Sequence, residues 1–458
     1  MSNIIRVGEI MKYNEYRKMY PNFIFDSYEI IELEDTYKFI YNFEIEGLTK
    51  FNPYMEVSKN IIKSVNEVDN YFIFHIGMIE LISYWKCTCS PNVIIKADYI
   101  SEEQLEFFKK LYYHGLGEFF YLNKIEPDIN DFMNIKCAHE EKEIPKIDVV
   151  TDGCLIPIGG GKDSNVSLEI LKGYNNSCFM INPKEVMLKC AEVAGFKDED
   201  IVSVKRIIDK NLLDLNSKGY LNGHTPFSSL VAFISYYIAY KTGKKYITLS
   251  NENSANESTV LGTKINHQYS KTFEFECDFN NYTNKYFGCD IKYFSFLRPL
   301  SELQIAMLFS QYKKYHEIFK SCNVGSKSIP WVWCGKCAKC LFVYIILSPF
   351  LYKDELVNIF GKDLYDDKEL LDIFKELIGD AETKPFECVG TTKEVRFSIS
   401  YLINKLDKQN LPYLLDYYYK NYELYNDSLL NEFNEENNLP KEFVKLLKEE
   451  LERCTKKL

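Results

Sequence analysis

The chain has 458 residues, of which 46% are hydrophobic and 26% charged. These proportions exclude intrinsic disorder and a collagen-like repeat, and the length suggests about three structural units. Lys and Arg number 55 against 66 Asp and Glu, a net charge of −11, which argues against a nucleic-acid partner and leaves room for a local anion site.

The opening MSNIIRVGEIMKYNEYRKMY carries acidic residues and tyrosines where a secretory signal needs an apolar run, so a cytoplasmic protein is expected. Residues 1–148 mix strand-like runs at 37–46 and 93–97 with a helical run at 102–113, which predicts an α+β amino-terminal domain. HEEKEIPKID, residues 139–148, is charged, carries Pro145 and reads as a linker. A second domain, 149–340, then alternates. Strands are predicted at 154–158, 177–181, 201–204 and 246–249. Helices follow Ser164, span 183–194 with Gly195 as cap, and span 227–242 with Gly243 as cap. This order predicts an α/β domain with a parallel sheet covered by helices. Residues 341–458 are helical in period and end in KEFVKLLKEELERC. The apolar stretches at 71–85, 227–240 and 340–351 are too short to span a bilayer and read as core helices, so no membrane partner is expected.

The chemistry is concentrated in loops. IPIGGGKDSNVSLEIL runs a strand through Gly159, Gly160 and Gly161 into Lys162, Asp163, Ser164 and a helix. Glycines permit close backbone approach, and a helix start presents unpaired N–H groups, so this is a phosphate cradle. It is not a Walker A loop, because Ile156 stands at the first glycine position and Asp163 where Ser or Thr is needed. Asn182 follows the strand at 177–181, Ser250 and Asn251 open SNENSAN after the strand at 246–249, and Asn222 and His224 lie in NGHTPFSS. Ligands of open parallel sheets bind beyond the carboxyl ends of strands, which predicts one crevice for these loops. Cys334, Cys337 and Cys340 are spaced C-x2-C-x2-C, with Cys322 upstream, and suit tetrahedral zinc better than a set of core thiols. His267, Lys271, Arg298, Lys384, Glu387 and Cys388 offer acid/base groups and cations for carboxylate or phosphate.

The glycine loop resembles the PP-loop, the SGGxDS signature of ATP pyrophosphatases, with Gly159 in place of the leading Ser. Together GGGKDS, NGHTP, SNENSAN, NHQYSK, LRPLSE, WCGKCAKC and KPFECVG resemble the MurL family, UDP-N-acetyl-α-D-muramoyl-L-alanyl-L-glutamate epimerases. The resemblance implies a PP-loop (adenine nucleotide alpha hydrolase-like) domain. It also implies use of ATP and Mg2+ with release of AMP and pyrophosphate, and inversion of a terminal L-Glu through an acyl adenylate. Gly159 to Ser164 with Asn182, Ser250 and Asn251 would hold the nucleotide, Asp163 the magnesium, and Asn222, His224, Lys271, Arg298 and Lys384 the UDP-muramoyl-dipeptide. Cys388, His267, Glu252 and Glu387 are the acid/base candidates, and Cys322, Cys334, Cys337 and Cys340 the structural Zn2+ ligands. A ligase adding L-Glu is the expected partner. The rival readings are an epimerase of another peptide, a 7-cyano-7-deazaguanine synthase-like or tRNA-thiolation enzyme, and a non-catalytic nucleotide and zinc protein.

Overall fold

In TYKFIYNFEI, Tyr37, Phe39, Tyr41, Phe43 and Ile45 are all buried while the residues between them are not, the two-residue period of a strand with one face on a core. The computed structural model describes residues 12–256, 269–381, 384–385, 387, 389–425 and 429–456. In chain order its strands are β1 Asn22–Glu32, β2 Thr36–Ile45, β3 Thr49–Phe51, β4 Tyr54–Ser58, β5 Asn92–Ile95, β6 Asn134–Cys137, β7 Cys154–Pro157, β8 Asn176–Ile181, β9 Ile201–Ile207, β10 Tyr246–Leu249 and β11 Lys292–Ser295. The chain forms two units: one takes the described residues through Gly153 with Val202–Ile247 and 269–293, the other Cys154–Ile201, 248–256 and the rest from Phe294.

In the first unit β2 pairs antiparallel with β1, β3 and β4, and β4 antiparallel with β9. Strand β5 runs parallel to β1 and β6 parallel to β5, so the sheet here is mixed. Helix Glu67–Glu80 opens on a capping box between Asn66 and Asp69. It packs on helix Phe227–Thr242, where Phe72 meets the rings of Tyr236, Tyr237 and Tyr240 at 5.0–6.2 Å. Asp69 is buried between these helices and answered twice, by the Tyr237 hydroxyl at 2.9 Å and Lys241 Nζ at 2.7 Å; without both, the carboxylate would not be tolerated there. Gly243, in the left-handed conformation, ends the second helix.

In the second unit β7 and β8 are parallel, from Cys154 opposite Asn176 to Pro157 opposite Phe179. Pro157 is the last residue of its strand, and Ile158 N–H resumes bonding to Phe179 O at 2.9 Å, so the missing donor is confined to the strand end. The second halves of β10 and β11 complete the order β11-β10-β7-β8. Helix Ala338–Leu347 is buried at every position, and helices Glu302–Ser310, Lys353–Phe360, Leu371–Ile378 and Thr392–Lys405 pack around it. A helix without a polar face belongs inside a helical layer. The carboxy-terminal region is helical, as its periodicity predicts, and finishes with helix Lys441–Thr455. Among the described residues no helix is long and apolar enough to cross a membrane.

Candidate active site and metal centre

Strand β7 delivers the chain into Ile158 and three glycines, after which helix Lys162–Ile170 begins with Gly161 as N-cap and no side-chain cap. Gly160 has φ +81°, and a Cβ there would lie 3.1 Å from Val186 Cγ1, so only glycine fits without strain. A Cβ at Gly159 would meet nothing within 4 Å, which shows room for the serine that PP-loops usually carry. The first-turn N–H groups with their positive dipole end suit phosphate oxygens.

Lys162 is the electrostatic centre of this loop. Its side chain is 2% exposed and its ammonium bonds both Asp163 and Glu302. Burial opposes that charge, but Asp163 and Glu302 outweigh it and hold the lysine above its ordinary pKa. Glu302, the first residue of helix Glu302–Ser310, is pushed up to about 8 by burial, with Asp163 and Glu252 adding repulsion and Lys162 and Lys339 opposing it. Three carboxylates thus act around one intimately bonded ammonium. This cluster of carboxyl oxygens beside an uncapped helix start suits a hard divalent cation, whose charge would draw the Glu302 proton off.

The remaining loops of the unit hold this centre in place. Glu302 N–H donates to Glu394 Oε1 at 2.6 Å, while the other oxygen of Glu394 accepts from the N–H and hydroxyl of Thr391 at 2.7 and 2.8 Å. One buried carboxylate therefore caps two helices, and burial raises its pKa. Arg298, fully buried, donates to Glu252 O at 3.0 Å and Ser295 Oγ at 3.2 Å. Asn251 donates to the same Ser295 Oγ at 3.0 Å, and Ser250 and Ser167 share a hydroxyl bond of 2.8 Å. Asn182 ends β8 with φ +49°, a conformation asparagine tolerates. Glu387 accepts from Lys339 N–H at 3.1 Å, at the first turn of helix Ala338–Leu347.

The start of that helix also carries two of the four thiols, Cys337 as its N-cap and Cys340 in its first turn. The Sγ atoms of Cys322, Cys334, Cys337 and Cys340 all lie within 4.8 Å of one another, with Cys322 to Cys337 at 3.7 Å, Cys334 to Cys340 at 3.7 Å and Cys337 to Cys340 at 3.5 Å. A tetrahedron with Zn–S bonds of about 2.3 Å has S–S edges of about 3.8 Å, so the four residues fit zinc. Hydrogen bonding from Cys340 pulls the Cys337 thiol down to about 5, while the same bond and burial hold Cys340 up and burial raises Cys322, so the set shares protons among closely spaced sulfurs. Gly325 is needed because a Cβ would fall 1.8 Å from Val332 O, and its N–H donates to Cys322 Sγ at 3.1 Å.

Comparison with known proteins identifies the lineage. Residues 14–296 match the MurL N-terminal domain, and residues 318–427 the MurL C-terminal domain. The chain belongs to the MurL family. Relatives named UDP-N-acetyl-alpha-D-muramoyl-L-alanyl-L-glutamate epimerase are 34% identical over 339 residues in Xanthomonas oryzae pv. oryzae (72% of this chain, 74% of the relative) and 33% over 337 residues in Micromonospora sp. (72% and 74%). A relative of the same name in Salinispora tropica is 34% identical over 334 residues, 71% of each chain.

Within this MurL chain Gly159 to Ser164, Asn182, Ser250, Asn251, Glu252, Arg298, Lys384, Glu387 and the four cysteines all belong to the second unit. Asn222, His224 and Lys271 belong to the first unit. There His224 Nδ1 lies 3.4 Å from Glu118 Oε2, and Asn222 O accepts from Asn123 at 3.0 Å. His267 and Cys388 lie outside the described residues. The sequence reading missed Glu302, Glu394 and Lys339. Their local signals were legible, in the capping patterns Ser301-x-x-Gln304 and Thr391-x-x-Glu394 and in Lys339 set between two cysteines.

Proposed function

We propose that the chain is a PP-loop, ATP-dependent epimerase that converts the terminal L-Glu of UDP-N-acetylmuramoyl-L-alanyl-L-glutamate to D-Glu through an acyl adenylate. The observation that carries this reading is the centre of buried Lys162 and Glu302 with the part-exposed Asp163 at an uncapped glycine loop, in a chain whose relatives are named for that epimerisation.

In this reading Gly159, Gly160, Gly161 and the helix start at Lys162 bind the ATP phosphates, with Ser164, Asn182, Ser250 and Asn251 lining the nucleotide. Asp163, with Glu302 beside it, would hold the magnesium, which would supply charge neutralisation for the departing pyrophosphate. A substrate carboxylate oxygen attacks the α-phosphorus, the bond to the bridging oxygen of pyrophosphate breaks, and pyrophosphate leaves. This step removes an obstacle. Deprotonating carbon next to a carboxylate builds a second negative charge beside the first, whereas an acyl adenylate yields an enolate that cations and N–H donors stabilise. A base removes the α proton, an acid returns one to the opposite face, and water then cleaves the acyl–phosphate bond to release AMP and the free acid.

Cys388, His267 and Glu252 are the groups proposed for proton transfer. Glu387 suits it less, because its carboxylate already accepts the Lys339 N–H. Asn222, His224, Lys271, Arg298 and Lys384 are proposed to bind or position the peptide substrate, and Cys322, Cys334, Cys337 and Cys340 to hold structural zinc. The reading places the enzyme in the cytoplasm, after a ligase that adds L-Glu to UDP-muramoyl-L-alanine. Incubation with that dipeptide substrate, ATP and magnesium is expected to give AMP, pyrophosphate and, after acid hydrolysis, D-Glu. ADP and phosphate would overturn the PP-loop assignment, and AMP with unchanged L-Glu would overturn the substrate.

A further inference from the structure

Alongside the glycine loop, wholly within the second unit, is a cleft of about 500 Å³, within the range of small-molecule sites. One wall is the start of helix Glu185–Ala194 and the other is the segment 317–331. Both walls are fixed to Gly160. Val186 packs against its Cα, and Lys320 N–H donates to its carbonyl at 2.9 Å. The cleft and the phosphate loop therefore share a backbone support.

The lining has two chemistries. Lys184, Lys189, Lys320 and Lys327 stand against Glu185 and Glu317; Lys189 pairs with Glu185 at 2.5 Å, and the lining still holds four cations to two anions, in a chain whose net charge is −11. Trp331 is held by its indole N–H on Cys322 O at 2.9 Å, and Lys184 Nζ sits 4.8 Å from its ring centre while donating to Ser326 O at 2.8 Å. Beside that ring Ile329 is 100% exposed, an apolar surface that gains by being covered. A simple anion would answer the lysines and leave this rim wet. An uncharged aromatic would cover the rim and leave the cleft's net positive charge unmatched. A nucleotide does both.

We infer that this cleft takes a nucleoside diphosphate, with its base on the rim formed by Ile329, Pro330 and Trp331 and its phosphates on the lysines. Two ligands carry that chemistry: the UDP end of the muramoyl peptide, a source that rests on the epimerase reading, and an adenine nucleotide.

Calorimetric titration of the full chain with UDP and, separately, with ADP tests the inference and separates the sources. The comparison is with Lys189→Glu/Lys327→Glu, which reverses two exposed lysines. Loss of about tenfold or more in affinity for UDP, with ADP unchanged, supports the cleft with uridine as its ligand, and the converse supports it with adenine. Unchanged affinity for both overturns it. Hydrogen exchange on the unmodified protein gives an independent reading, since either nucleotide should slow the amides of 317–331, and no protection at saturation also overturns it. Failure of the two readings is distinguishable. UDP binding here without D-Glu formation refutes the epimerase and keeps the cleft, whereas D-Glu formation with nucleotide affinities indifferent to the double substitution refutes the cleft and keeps the epimerase.

Discussion

Replacing Lys162 with Met removes the ammonium that lies between Asp163 and Glu302. The Lys162 and Glu302 side chains are each 2% exposed, so water cannot replace the lost partner. Breaking a buried ion pair from one side costs about 3–5 kcal/mol, because the remaining charge is left uncompensated. Here the group left behind is Glu302, already pushed up to about 8 by burial and by neighbouring carboxylates even with the lysine present, so it can take a proton instead of standing as a bare charge, which puts the cost at the lower end of that range. Without Lys162 its pKa rises further, and the residue enters the fold protonated. The folded pKa then lies well above the unfolded value near 4.5, so the folded variant binds more protons across neutral pH. The parent also holds this proton below about pH 8, so both proteins lose stability with the same slope there, and the variant's extra cost grows only above about pH 8, by up to about 1.4 kcal/mol per unit for one group. Guanidinium unfolding at about pH 5.5, 7 and 8.5 measures this. The double variant Lys162→Met/Glu302→Leu removes both charges and should recover at least about half of the loss. A single-variant cost below about 1 kcal/mol, a difference from the parent no larger at about pH 8.5 than at about pH 7, or no recovery in the double variant would refute the reasoning.

Protein purified without added zinc should carry about one equivalent, and Cys340→Ser should lose it together with several kcal/mol of stability, because structural-metal binding energy is folding energy; metal analysis beside a thermal melt decides, and a metal-free but fully stable protein counts against the site. Asp163→Ala should reduce AMP and pyrophosphate formation by at least about a hundredfold, read by nucleotide chromatography, if it helps neutralise the departing charge. Glu387→Gln retains an oxygen that can accept the Lys339 N–H, so it should cost no more than about 1 kcal/mol and slow turnover by less than about tenfold; complete loss of activity in a folded variant would instead make Glu387 the base.

Local features of this chain were legible and long-range ones were not. Helix Phe227–Thr242 with its Gly243 cap and strand β10 lie at the residues that sequence reading predicts, because a sixteen-residue apolar run ended by glycine and a short β-branched run each carry their signal internally. The glycine-loop helix starts at Lys162, before the predicted start after Ser164, since Lys162 and Asp163 join the first turn, where the Lys162 ammonium bonds both Asp163 and Glu302. Strand β1 has no clean alternation: a register irregularity between Phe25 and Ser27 shifts its inward face. Strand pairing was equally hidden, as nothing in β4 states that it runs antiparallel to β9, some 150 residues away. At the site, the cysteine set was legible because three ligands fall within seven residues. Glu302 was not, because its partners Lys162 and Glu394 lie 140 and 92 residues distant.

The central claim is that a carbon–hydrogen bond is broken at the glutamate α carbon after ATP activates the neighbouring carboxylate. The most direct measurement is the reaction of UDP-N-acetylmuramoyl-L-alanyl-L-glutamate with ATP and magnesium in heavy water, followed by mass and chiral analysis of the released glutamate. The account predicts D-Glu carrying one deuterium at the α carbon, formed with AMP and pyrophosphate and absent without ATP. D-Glu without solvent deuterium, or ATP consumed while glutamate remains L and unlabelled, would contradict it.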